Sequence, residues 1–257
     1  VSLIKSVSEQ EAIRRACHVA SDVLQAIIEK VMPGVTTLEL DDFAAEQIRQ
    51  RGARSAFLNY KKFPRHTCVS VNHEVVHGIA GKRALMFGDI VSLDVGVFFE
   101  GFVGDVARTV AVGGCGVAAQ QLMDITVQSL QAGISQARAG NRVADISQAI
   151  QRFVEGNGCS VVREFVGHGV GRSIHEEPQV PNFVDGKPSP KLKAGMTIAI
   201  EPMVNAGRAG VRELNDGWTV VTSDGSLSAH FEHTVLVTET APEILTWHDP
   251  MLSKLKV

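Results

Sequence analysis

No apolar run in this sequence approaches the roughly 20 residues that a helical membrane span requires, so no membrane association is expected. Charge of one sign is lacking too. Lys and Arg number 25 against 28 Asp and Glu, for a net charge of −3 and a pI near 6.3. That balance gives no pull toward nucleic acid or an anionic surface. Cysteine is sparse: Cys17, Cys68, Cys115 and Cys159 are scattered, without a CxxC pair. A structural zinc finger is thereby excluded, and the four read as free thiols in a reducing, cytoplasmic compartment. The opening Val1-Ser-Leu-Ile-Lys5 does not read as a signal peptide, because charge arrives before any apolar stretch. No Ser/Pro-rich linker divides the chain. What remains is an ordinary globular composition, 44% hydrophobic and 21% charged, in a chain long enough to bury a large core without covalent staples.

Within that composition the chain repeats itself. A capping box at Ser8-Glu9-Gln10-Glu11 is expected to open a helix carrying Ile13, Cys17, Ala20, Leu24, Ile27 and Ile28 at helical spacing, stopped by Pro33-Gly34. Thr36-Thr37-Leu38-Glu39 opens a second helix, which ends at Gly52. Strands follow near 67–72, 89–99 and 102–112, closed by Gly113-Gly114-Cys115-Gly116. The second half replays the order from a helix at about 119–138. Leu130, Ile134, Gly140, Ile146, Val154 and Gly158 stand 106 residues after Leu24, Ile28, Gly34, Leu40, Ile48 and Gly52. Leu192 and the run Gly195–Glu201 stand 107 after Leu85 and Gly88–Asp94. A period this long excludes a solenoid, whose units run about 20–50 residues. The reading is a single domain spanning 1–257, built from two related αα-β halves around a shared site.

The strands hold carboxylates where a core should be. Asp94 shares its face with Ser92 and Gly96, Asp105 with Val103, Ala107 and Thr109, and Glu201 with Ala199 and Met203. Glu232 lies between Phe231 and His233, ahead of Thr234-Val-Leu-Val. Buried acids normally pair or bind metal. Arg108 and Arg212 could each neutralise one of them in a structural ion pair, but four acids outnumber the cations nearby. Two divalent ions would balance four carboxylates, and such a pair needs a bridging carboxylate. Oxygen ligands plus one imidazole, His168 in Gly167-His-Gly-Val-Gly171, suit Mn, Fe, Co or Zn. That loop lacks the spacing of a phosphate-binding motif. His73-Glu-Val-Val-His77 matches HExxH formally, but the zincin site needs a helix, and this β-branched, glycine-interrupted stretch reads as strand or loop.

Val71-Asn72…His77-Gly78, the pair Asp94…Asp105, Gly167-His-Gly-Val-Gly-Arg…His175-Glu-Glu-Pro178, Glu201-Pro-Met-Val-Asn and Phe231-Glu-His-Thr together resemble the type I methionine aminopeptidases, over essentially the whole chain. The resemblance implies an α+β "pita-bread" fold with an internal pseudo-twofold, and removal of the initiator methionine from nascent proteins whose second residue is small. It implies metal ligands Asp94, Asp105, His168, Glu201 and Glu232, with Asp105 and Glu232 bridging two ions. It implies a proton-shuttling Glu201, a His77 that contacts the scissile nitrogen or its surroundings, and a His175 that stabilises the oxyanion. The methionine pocket implied is Tyr60, Phe63, Cys68, His77 and Trp218. Phe57, Ile174 and His230 depart from residues common in the family and put the pocket's fine shape in question. Partners implied are nascent N-termini, with transient ribosome contact by a monomer. Lys61-Lys62 and Lys187–Lys193 read as solvated loops. The type I likeness also implies a chain without a long N-terminal extension or a large insertion after Pro178. The competing readings are an Xaa-Pro aminopeptidase, whose family usually adds an N-terminal domain, and an inactive binding homologue, which would have lost ligands.

Overall fold

A computed structural model describes residues 2–186 and 188–246; Lys187 lies outside the described residues. Four helices form two hairpins, α1 (Val7–Ile28) with α2 (Thr37–Gln50) and α3 (Val117–Ile134) with α4 (Val143–Gly156). The eleven strands that matter here are β1 (Cys68–Val71), β2 (Glu74–Val76), β3 (Ile90–Phe99), β4 (Phe102–Ala111), β5 (Gly167–Gly169), β6 (Glu176–Val180), β7 (Thr197–Ile200), β8 (Met203–Asn205), β9 (Val220–Thr222), β10 (Ser228–His230) and β11 (Glu232–Leu236). Among the described residues, nine strands form one antiparallel sheet whose main path runs Arg54–Ser55, β3, β4, β11, β7, β5, β6; β1 also pairs with β3. Two three-stranded sheets flank it: β10, β8 and Ser160–Val161 in one, Val211–Glu213, β9 and β2 in the other.

The helices form where the apolar spacing requires. Ile13, Cys17, Ala20, Leu24 and Ile27 are all buried on one face of α1. Its start differs from the sequence expectation: Ser6, not Ser8, is the N-cap, in a reciprocal box with Glu9. Two overlapping S-x-x-E motifs compete here, and in the structure Glu11 pairs with Arg14 instead. The second hairpin's first helix ends at Ile134 rather than near 138, where Ala137 N–H turns back to the Ile134 carbonyl.

The internal repeat is a repeat of backbone conformation. Gly34 and Gly140 have φ of 93° and 92°, and Gly88 and Gly195 have φ of 97° and 89°. These are left-handed values that a side chain would disfavour. The hydrogen bonds recur as well. Gly34 N–H donates to Leu85 O at 2.8 Å, and Gly140 N–H to Leu192 O at 3.1 Å. Thr36 bridges Ala84 as Arg142 bridges Lys191. Each helical hairpin is thus tied in the same way to the loop entering its own half's central strand. One apolar cluster packs α1 and α2 on β3 and β4, and another packs α3 and α4 on β7, β8 and β11. Leu40, Ile48, Ile146 and Val154 are each no more than 2% exposed, which accounts for their recurrence.

Helix α1 lies unusually close to the sheet. A Cβ added at Gly104 would stand 2.3 Å from the Ala16 carbonyl oxygen, and the neighbouring residue is Asp105. Gly104→Ala should therefore push α1 off β4 and destabilise the fold by about 1–3 kcal/mol, the range for overpacking a rigid core. Gly34→Ala meets nothing within 4 Å and should cost only its backbone strain, about 1 kcal/mol. Chemical denaturation of both variants checks the order.

Candidate metal centre

Strand register brings the acids together. Asp94 on β3 lies opposite Ala107 on β4, and Ala107 lies opposite Glu232 on β11. Asp105 lies opposite Gly96, one alternate step along the same face. Three carboxylates therefore crowd one face of the large sheet, around residues small enough to leave them room. Glu201 is placed differently from the expectation that all four sit on strands. β7 ends at Ile200, and the chain resumes pairing only at Met203. The interruption has a physical cause: Pro202 has no N–H to donate. The chain also changes partners here, from β11 on one side to β10 on the other. Phe231 forms the matching break between β10 and β11, its N–H reaching Pro202 O at 3.4 Å.

His168 completes the group from β5. The glycines beside it are required by neighbouring backbone, since a Cβ on Gly167 would lie 2.3 Å from Ala199 O and one on Gly169 2.2 Å from Glu177 O. Its Nδ1 donates to Gly169 O at 3.0 Å, which leaves the Nε2 lone pair free to bind a cation. Nε2 lies 3.3 Å from Glu201 Oε1 and 3.8 Å from Asp105 Oδ2. Ligand atoms of Asp105, His168 and Glu232 all fall within 4.8 Å of one another.

These acids have almost no compensation. Asp94 Oδ1, Asp105 Oδ1 and Glu232 Oε1 are buried without a hydrogen-bond partner. Among the described residues, only His168 and His230 come within ion-pair distance of the cluster; neither Arg108 nor Arg212 does. Burial pushes the Asp94 carboxyl up to about 7. Burial, and then the charges of Asp94 and Glu201, hold Asp105 well above the usual range. Glu232 is raised likewise by burial, Asp105 and Glu201. Glu201 goes the other way: burial works against its charge, but His230 and His168 outweigh it and lower its pKa. Buried acceptor oxygens lacking donors, beside an imidazole with a free lone pair, fit a divalent cation. The Asp94 and Cys68 residues are register partners on β3 and β1, but the buried Cys68 thiol is pushed far up by burial, unsuited to ligation as a thiolate.

The remaining expected residues converge on the same cavity of about 270 Å³, which Tyr60, Phe63, Cys68, His77, His175 and Trp218 all line. Phe63 meets Trp218 edge-on with centroids 5.1 Å apart, and His77 meets Trp218 at 5.9 Å. Burial lowers the His77 pKa to about 4. The His175 ring lies tilted against His168, with centroids 4.3 Å apart, and its Nδ1 bonds the Tyr60 hydroxyl at 2.9 Å. Its pKa also falls, through desolvation and then the charge of His168.

Other residues at the site carry no assigned role in the sequence reading. Phe165 packs edge-on against His77 at 5.2 Å, and no local sequence signal pairs them. His230 is 2% exposed and its Nε2 lies 3.6 Å from Glu201 Oε2. A signal did exist for it, since His230 stands two residues before Glu232. Lys61, exposed as expected, also borders the cavity. Of the departures, Phe57 lines the cavity while Ile174 is core: both press on Gly96, where an added Cβ would lie 2.6 Å and 2.9 Å from their side chains. His73 and His77 flank the strand β2, and Glu74 accepts from Val71 N–H and pairs with Arg83 at 3.1 Å. No helix presents an HExxH face.

The description "Metallopeptidase family M24" matches residues 11–239. A methionine aminopeptidase of Clostridium perfringens is 50% identical over 95% of this chain and 98% of its own. The chain belongs to metallopeptidase family M24, among the methionine aminopeptidases. A crystal structure of methionine aminopeptidase from Rickettsia prowazekii superposes with a TM-score of 0.93, at 40% identity over 95% of this chain and 99% of that one. Prolidase from Pyrococcus furiosus shares the fold, with a TM-score of 0.79 and 24% identity, but this chain covers only 66% of it. The pita-bread α+β fold expected from the sequence is therefore the one present, and the Xaa-Pro alternative is the poorer match.

Raised carboxyl pKa values mean that the metal-free site holds protons near neutrality, which a cation must displace. A group raised in the folded state stabilises that state at low pH and loses the contribution as pH rises through its folded pKa. For Asp94 the window runs from the unfolded value near ~4 up to about 7. Titration calorimetry of Mn or Co into metal-free protein, in buffers of different ionisation enthalpy, should register net proton release at pH 6.

Proposed function

We infer that this chain hydrolyses the peptide bond following an N-terminal methionine when the next residue is small. The observation that carries the reading is a single cavity lined by two chemically different sets of side chains: buried carboxylates and an imidazole, and rings with a thiol. A methionine side chain among Phe63, Cys68, His77 and Trp218 would place its polarisable sulfur against partners that suit it. Its carbonyl would then face the carboxylates. The close relationship to methionine aminopeptidases supports the same reaction.

In this reading the whole chain, 1–257, acts as one catalytic domain, since both halves supply donors. Asp94, Asp105, His168, Glu201 and Glu232 would hold two divalent ions, Co, Mn, Fe or Zn, with Asp105 and Glu232 shared between them. The arithmetic of four carboxylates against two divalent charges supports that number. When bound, such a pair supplies Lewis acidity and a water of lowered pKa.

The protein's own residues would do the rest. Glu201, with its pKa lowered, is poised to accept a proton on one carboxylate oxygen while His230 faces the other, Oε2. His77, kept neutral by burial, can donate to the scissile amide nitrogen or accept from the substrate amine. With the Tyr60 hydroxyl as donor to His175 Nδ1, the proton would sit on Nε2. That N–H would then face the developing oxyanion, where a fixed donor contributes most. The substrates would be nascent chains, met by a cytoplasmic monomer in transient contact with the ribosome; the mild net charge and the completeness of the pocket within one chain support this.

Metal-stripped protein should release no methionine from Met-Ala-Ser, and restoring Co, Mn, Fe or Zn in turn should restore release, as followed by mass spectrometry. Cleavage of Ala-Pro-Ala instead would reassign the substrate class. Glu201→Gln should lower turnover at least 100-fold, the usual scale for lost acid–base catalysis, with an unchanged circular dichroism spectrum. Retained turnover would remove Glu201 from its assigned role.

A further inference from the structure

One ion pair outside the carboxylate cluster is more deeply buried than any other Lys or Arg pair among the described residues. Lys5 Nζ lies 2.6 Å from Glu176 Oε2, with the two side chains only 5% and 6% exposed. The partners are distant in sequence, and they join the segment ahead of α1 to the residue immediately after His175. Burying two charges is costly unless geometry and further hydrogen bonds compensate, and here they do. Lys5 Nζ also donates to Ser2 O at 2.9 Å. Glu176 Oε1 accepts from the backbone N–H of Arg172 at 2.8 Å and of Ser173 at 3.1 Å. The carboxylate therefore closes the turn 172–176, with His175 inside it.

The turn is made to receive the pair. A Cβ on Gly171 would stand 2.7 Å from both Glu176 carboxylate oxygens and 2.8 Å from Lys5 Nζ, so the last glycine of Gly167-His-Gly-Val-Gly171 leaves space for an ion pair. Lys5 is itself held at both backbone ends. Its N–H donates to Gly195 O at 2.8 Å, and its carbonyl accepts from Gln10 Nε2 at 2.8 Å. Gly195 N–H in turn donates to Val237 O at 2.9 Å, next to the end of β11. The segment before α1 is thus bonded beside the sheet that carries Glu232 and ends at Glu201, and by Lys5 to the turn that carries His175.

We propose that Lys5 and Glu176 are positioning residues that hold His175 against Tyr60 and His168, so that the segment before α1 is a structural part of the active site. The proposal rests on the role inferred above for His175, but its test does not. Tyr60 is the chain's only tyrosine and bonds His175 Nδ1 directly. Tyrosine labelled with ¹³C at Cζ therefore gives one resonance that reports whether His175 is in place, without any turnover.

His175→Ala defines the resonance of an unbonded Tyr60. In Lys5→Met, whose unbranched side chain is one atom shorter and uncharged, the resonance should move most of the way to that position, with circular dichroism unchanged. Turnover of Met-Ala-Ser should fall roughly 10- to 100-fold, the cost of a misplaced catalytic group, with KM within about twofold of wild type. The double variant Lys5→Met/Glu176→Gln retains an oxygen for the Arg172 and Ser173 N–H groups and leaves no buried charge. It should show the displaced resonance too, and it carries the test if Lys5→Met does not fold. A wild-type Tyr60 resonance in folded Lys5→Met, or its return in the double variant, would overturn the proposal. A displaced resonance in a protein whose wild type cleaves no methionine would leave the latch standing and remove the functional reading alone.

Discussion

Everything in this structure is arranged around carboxylates that repel one another. Asp94, Asp105 and Glu232 are buried on one face of a sheet, with oxygens that meet no donor. Such a group is tolerable only if the scaffold prevents the acids from swinging apart and if a cation can relieve them. Strand pairing supplies the first condition. Each acid sits on a strand hydrogen-bonded on both sides, beside Gly96, Ala107 and Thr109, which are small enough to let the carboxylates share one face. Thr109 is itself fixed, bonding Ser92 Oγ, His230 O and His230 N–H.

The pseudo-twofold places only part of this centre. Asp94 and Glu201 are related by it, each six residues after a left-handed glycine, Gly88 and Gly195. The other acids are not. Gly88 N–H reaches Val112 O as Gly195 N–H reaches Val237 O. Following those strands back sets Glu232 against Ala107 and His230 against Asp105. An imidazole thus stands in one half where a carboxylate stands in the other. That difference lowers the pKa of Glu201 while its counterpart Asp94 is raised. Two carboxylates at equivalent positions of the repeat are separated chemically by their neighbours, the usual route to distinct acid and base roles.

Much of this was legible in the sequence, and the exceptions have physical reasons. The periodicity of α1 and the recurrence of Leu40, Ile48, Ile146 and Val154 report burial, which is why the repeat could be read residue by residue. Acids in β-branched runs were readable because strand alternation is a local rule. The N-cap was misplaced because Ser6 and Ser8 offer the same motif, and only the tertiary bond from Lys5 N–H to Gly195 O distinguishes where the chain turns. Glu201 was read as part of a continuous strand although Pro202 signals a break, since the exchange of partner strands is a long-range event. Phe165 beside His77 depends on two distant segments meeting, and nothing local encodes it. His230 was noticed only as a departure, yet its spacing from Glu232 already placed both on one face.

The simultaneous break at Glu201-Pro202 and at Phe231 has a consequence for how the pocket selects. Two adjacent strands leave the large sheet together and enter a smaller one, and the cavity lies where the surfaces diverge. The floor of that crease is pinned by backbone pairing, Met203 against His230, so a guest meets a fixed depth there, while Tyr60, Phe63 and Trp218 close in from outside the strands.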